Sequence, residues 1–145
     1  MNARQWIDPW IDPFKRETPR LTEEQMLEDI LWYVQTRDWV TPVELRGRYG
    51  ERGTGDHALT LGTNLIVWTG LSESLVTAIL RLLEKREIHA HPVSWLTYLI
   101  DGGGLKLPLA KRPPKRGYTR EHWAPLAFRM GPRCGLKDCP GNRNS

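Results

Sequence analysis

Residues 69–92, TGLSESLVTAILRLLEKREIHAHP, constrain the fold of this chain more than any other stretch. Within Thr69-Gly70-Leu71-Ser72, Gly70 suits a tight turn because it takes a positive φ without a Cβ clash, and Ser72 is a natural N-cap. From there Val76, Ile79, Leu80, Leu82 and Leu83 recur at helical spacing, the stripe of a helix with one buried face. The alternating run Ile88-His89-Ala90-His91 then predicts an extended segment. Turn, amphipathic helix and strand follow one another, and the helix stripe needs further elements to cover it.

Upstream, Thr22 and Gln25 have capping-box spacing, and Glu23 and Glu24 suit the positive end of a helix. A helix is therefore predicted over residues 21–37, with Met26, Ile30, Tyr33 and Val34 on one face. Trp39-Val40 reads as a short strand. Thr41 as N-cap and Pro42 at the first helical position predict a second helix ending at Gly47 or Gly50. The run GERGTGDH (50–57) is not a phosphate-binding Walker loop, since no Gly-Lys-Ser/Thr follows, and reads as a flexible connection. The run from Leu59 to Trp68 is apolar and β-branched, yet it stands where a helix would precede the turn, and a helix is the expectation over residues 63–69. Downstream, 93–100 reads as a β-segment, Asp101-Gly102-Gly103-Gly104 as a turn, 105–117 as a Pro-rich basic stretch and 118–130 as a returning strand.

The order T-G-L-S-x-S-x-V-x-x-x-L-x-x-L-E-x-x-x-I resembles the second half of a helix-turn-helix entering the first strand of a wing. Over residues 63–130 the chain is similar to the winged helix-turn-helix regulators of bacteria and their phages. That resemblance implies an α+β winged-helix domain of three or four helices and a small β-hairpin wing, over residues 21–130. It also implies a cytoplasmic transcription regulator that binds double-stranded DNA. Ser74, Thr77, Arg81 and Lys85 are then the groove-facing residues of the helix after Ser72. Lys106, Lys111, Arg112, Lys115, Arg116 and Arg120 form the basic wing, held extended by Pro108, Pro113 and Pro114. The sequence departs from the family pattern at Leu75 and Ala78, where DNA readers carry polar side chains, and Glu73 stands where a phosphate would approach. The alternative is a protein-binding winged helix, a phage-type factor that docks on RNA polymerase or another host transcription protein.

Charge distribution supports a polyanionic partner. Residues 1–101 hold 11 Lys and Arg against 15 Asp and Glu, whereas residues 102–145 hold 10 against 2. A balance of −4 thus gives way to +8, the asymmetry of a basic arm or face. At 145 residues the chain makes one domain. No apolar run approaches the ~20 residues of a membrane helix, MNARQWIDPW lacks a signal-peptide core, and two cysteines suit a reducing compartment.

Residues 1–20 form an arm with a tandem repeat, Trp6-Ile7-Asp8-Pro9 and Trp10-Ile11-Asp12-Pro13-Phe14. Either Trp6, Trp10 and Phe14 strap over the domain, or they form an aromatic docking peptide for a partner. At the other end, the tail 131–145 is expected to be disordered or tied by a metal. Cys134 and Cys139 offer two zinc ligands, with His89, His91 and His122 as candidates to complete a set. His89 and His91 share one face of a strand. Two reduced thiols in a tail are the plainer reading, so neither a metal nor a cofactor is expected. No nucleophile elbow or His-Glu-x-x-His appears, Asp56-His57 is an isolated pair, and the chain is expected not to be an enzyme.

Overall fold

The computed structural model describes residues 21–111, 117–136 and 139. The aromatic arm with Trp6, Trp10 and Phe14, and the basic residues Arg112, Lys115 and Arg116, lie outside the described residues. The described residues form an α+β architecture with four helices and two small sheets.

Local signals produce the first two helices. Helix α1 (Glu23–Arg37) begins with the expected capping box: Thr22 Oγ1 accepts from the Gln25 amide at 3.1 Å, and Gln25 Oε1 accepts from the Thr22 amide at 2.9 Å. It buries Met26, Ile30 and Val34. Helix α2 (Pro42–Tyr49) is capped by Thr41, whose hydroxyl accepts from the Glu44 amide and donates to Asp101 at 2.6 Å. Between the helices, Val40 forms a single bridge with Phe128.

The glycine-rich stretch is not a flexible connection. It forms a 3-10 turn (Gly50–Gly53) and most of strand β1 (Thr54–Thr60), which pairs antiparallel with β2 (Leu65–Leu71) through an irregular register. Strand β2 also replaces the helix expected over residues 63–69. Ile66, Val67 and Trp68 are all buried, so the strand shows neither alternation nor a helical period. Gly70 does take the positive φ expected of it, at 75°, but within β2.

Helix α3 (Glu73–Glu84) starts where expected, with Ser72 accepting from the Leu75 amide at 3.1 Å. Its buried face, however, is Leu75, Ala78, Ile79 and Leu82, while Leu80 is exposed and Val76 and Leu83 are only half-buried. A Schellman closure ends it: the Arg86 amide donates to Leu83 and the Glu87 amide to Leu82, with Arg86 at φ 61°.

Strand β3 (Ile88–Pro92) confirms the extended reading after α3. The next segment does not follow expectation: in place of a strand over residues 93–100, helix α4 (Trp95–Asp101) forms under a Ser94 cap. The single returning strand divides into β4 (His122–Trp123) and β5 (Leu126–Met130). Strand β4 runs parallel to β2 in the three-stranded sheet β1-β2-β4, and β5 runs antiparallel to β3 in a separate two-stranded sheet.

The core lies between α1, α3 and the sheets and includes Ile30, Val34, Leu45, Leu59, Val67, Leu75, Ile79, Tyr98, Trp123 and Phe128. Tyr98 is fully buried but keeps both hydrogen bonds, donating to the Leu126 carbonyl at 2.6 Å and accepting from the Leu126 amide at 3.1 Å. Its burial and hydroxyl pin α4 to β5. Among the described residues no helix is long and apolar enough to cross a membrane.

Candidate functional site

Two regions carry chemistry, and both follow from the β3–β5 and β2–β4 pairings. The first is a basic edge between α4 and β5. Leu105, Leu107 and Leu109 pack against the core, while Lys106 and Lys111 are exposed. This in-out alternation matches an extended backbone. Two hydrogen bonds hold it against β4: the Trp123 amide donates to the Pro108 carbonyl and the Ala110 amide to the Trp123 carbonyl, both at 2.8 Å.

A second anchor lies on the far side of residues 112–116. The Tyr118 amide donates to the Thr63 carbonyl at 3.3 Å, and Asn64 Nδ2 donates to the Tyr118 carbonyl at 2.7 Å. Gly117 just before it has φ 80°, and a Cβ there would come within 2.5 Å of Thr63 Cβ, so only glycine fits. Tyr118 stacks on His122 at 3.6 Å between ring centres, with exposed Arg120 between them in sequence. The described residues on either side of 112–116 are therefore both anchored beside the β1-β2-β4 sheet.

Helix α3 is a poor anion site by comparison. Ser74, Thr77, Arg81 and Lys85 lie on its outer side as expected, whereas Leu75 and Ala78 are core residues, which explains their apolar character. Arg81 is bonded to Glu23 at 2.7 Å. Ser74 and Thr77 line a cavity of about 500 Å³ together with Glu23, Glu73 and Arg52. Two carboxylates at that position oppose an incoming phosphate. Because β2 stands where the preceding helix was expected, α3 is also not presented by a helix-turn-helix.

The second region is a Cys/His cluster on the outer face of the β3–β5 ribbon. Ile88 and Ala90 point inward, while His89 and His91 point outward, opposite Arg129 and Ala127. That face is covered nonetheless: His89 is 6% exposed and His91 4%. The chain turns at Gly131, whose amide donates to the Glu87 carbonyl, and brings Cys134 and Cys139 over His89. A ring nitrogen of His89 and the two Sγ atoms lie within 4.8 Å of one another. The cysteines are not disulfide-bonded, and the Cys134 amide donates to Cys139 Sγ at 3.3 Å. His91 does not join this group, and His122 is elsewhere, stacked on Tyr118.

Around this cluster the backbone is strained. Asp38 and Trp39, at the end of α1, have φ of 58° and 53°, each costing about 1–2 kcal/mol for a residue with a Cβ. Side-chain interactions hold them there. Asp38 accepts from Trp39 N and makes two hydrogen bonds with Arg129. The Arg129 guanidinium lies 4.3 Å over the centre of the Trp39 ring, which meets the His91 ring in a T-shaped pair with centres 5.1 Å apart. Arg129 holds the Asp38 carboxyl below the usual carboxylate range. Arg129, Asp38 and Trp39 carry no distinguishing signal in the sequence, because their meeting depends on a register set by residues far apart. The Asp56-His57 pair, at 3.3 Å, sits exposed on β1.

The chain matches no family model, no curated protein and no solved structure.

Proposed function

We propose that this protein binds nucleic acid, gripping the phosphate backbone of duplex DNA along its basic edge. The four helices and small sheets among the described residues are compatible with a winged-helix scaffold in which the segment 105–120 serves as the wing. The observation that supports the reading is the alternation of Leu105, Leu107 and Leu109 against the core with Lys106 and Lys111 outward, on a backbone pinned to β4. A cationic comb on an anchored backbone loses little entropy on meeting a charged rod, and it gives affinity without base readout. Transcription regulation is the role such a module fits, and α3 contributes little to recognition.

Fluorescence anisotropy with a labelled duplex tests this. Binding is expected at low salt, weakening steeply as salt rises, with the log–log slope shallower by about 0.9 for each phosphate no longer neutralised. Lys106→Ala, Lys111→Ala and Arg120→Ala together are expected to flatten that slope. No binding at low salt, or an unchanged slope in the triple variant, contradicts the reading.

A second reading, docking on a transcription protein such as RNA polymerase, is supported by α4. Trp95, Leu96, Leu99 and Ile100 on this short helix are all exposed, Ile100 by 85%, and clustered exposed apolar side chains mark interaction surfaces. A pull-down that loses its partner on Leu96→Ser and Ile100→Ser, with DNA binding intact, favours this reading; an unchanged pull-down counts against it.

A further inference from the structure

We propose that His89, Cys134 and Cys139 bind a zinc ion that clips the chain after Gly131 onto the outer face of the β3–β5 ribbon. Two thiolates and an imidazole suit zinc and are poor ligands for magnesium or calcium, which take oxygen. Their ligand atoms already lie within 4.8 Å of one another, close enough to converge on a single ion.

The imidazole is prepared for a metal. A carbonyl oxygen only accepts, so the 2.9 Å hydrogen bond to Gly131 fixes the proton on His89 Nδ1 and leaves the lone pair on Nε2. That Nε2 is buried and has no hydrogen-bond partner among the described residues. An orphaned imidazole nitrogen hidden from solvent is costly, and a metal removes that cost. A backbone carbonyl on the opposite nitrogen is the usual outer-shell support of a zinc-bound histidine. The thiols are supported too, by the Cys134 amide on Cys139 Sγ and by the Arg129 guanidinium beside Cys134.

Packing alone does not explain how Cys139 comes to be covered. The stretch GPRCGLKDC contains one large aliphatic side chain, Leu136, and it is 41% exposed. Yet Cys139 is 1% exposed. Fixing a glycine-containing stretch costs backbone entropy at every residue, and so little apolar burial does not offset it, whereas a structural zinc supplies folding free energy directly. On binding, each thiol releases its proton to solvent and no redox change occurs. Three protein ligands leave one tetrahedral position for water or a further side chain.

Metal content of the full chain, purified in reductant from zinc-supplemented cells, decides the matter without any DNA present. Native mass spectrometry is expected to show one zinc per chain. Cobalt substitution is expected to give the intense visible bands of a tetrahedral site and a thiolate-to-cobalt charge-transfer band. Cys134→Ser, Cys139→Ser and His89→Gln each lose the stoichiometric zinc, and His122→Gln keeps it. Should the ligand variants fail to fold, the wild-type chain still decides, through its zinc content and the fall in hydrogen-exchange protection around Cys134 on chelation. Folded, reduced wild-type chain that takes up no zinc, or zinc retained at full stoichiometry by both cysteine variants, overturns the proposal.

Discussion

Asp38 and Arg129 stand 91 residues apart and meet through two parallel hydrogen bonds of 2.9 and 2.8 Å. The pair ties the turn after α1 to β5, over the Trp39 ring and beside the His89 cluster. Asp38 is half-exposed, its side chain by 41%, so its ion pair alone contributes little; its geometric role is larger, because it holds two positive-φ residues in place. Asp38→Ala is expected to cost about 1 kcal/mol by urea denaturation, and to raise amide exchange at residues 38–40 more than at α3.

Acid sensitivity follows from two carboxylates. Arg48 lowers the Asp29 carboxyl through hydrogen bonds of 2.8 Å, with Tyr49 adding a third at 2.6 Å, and Arg129 lowers Asp38. Because both folded values lie below the unfolded one, the stability they supply is present above about pH 5. It is lost as pH falls below about 3.9 through the depressed values. Urea midpoints are expected to drop over that window in the wild-type chain and less steeply in Asp29→Asn/Asp38→Asn.

Replacing Arg86 with glycine is expected to stabilise the protein. Its φ of 61° is the left-handed position of the Schellman closure after α3, and its side chain is exposed. Relief of the Cβ clash, about 1–2 kcal/mol, is partly offset by the greater unfolded-state entropy of glycine, and the net gain of about 0.5–1 kcal/mol is read as a higher thermal midpoint.

Leu75 distinguishes the two faces of α3. It is fully buried, so Leu75→Ala is expected to cost about 2–5 kcal/mol, while Thr77→Ala stays within about 0.5 kcal/mol. Chemical denaturation of the two variants checks this.

Helices α1, α2 and α3 are legible in the sequence because their caps are local: Thr22 with Gln25, Thr41 with Pro42, and Ser72 each act within one turn. Strand β2 is not, since Ile66-Val67-Trp68 is buried on both sides and its period is hidden. Residues 93–100 mislead in the opposite sense: α4 is apolar nearly all round, and only Tyr98 is fully buried, so no amphipathic stripe marks it. The His and Cys residues of the cluster are visible as types, and the i, i+2 placement of His89 and His91 is legible. That Cys134 and Cys139 return to His89 depends on β5 pairing with β3 from Ile88–Met130 onward, a non-local choice no spacing encodes.

A titration of isotope-labelled protein with a short DNA duplex, followed by amide chemical shifts, shows where a polyanion meets the chain. Shifts are expected to concentrate at Lys106–Lys111 and Tyr118–Arg120, with Ser74, Thr77 and Arg81 nearly unmoved. Shifts centred on α3 with a silent basic edge, or no shifts at low salt, contradict binding along the basic edge.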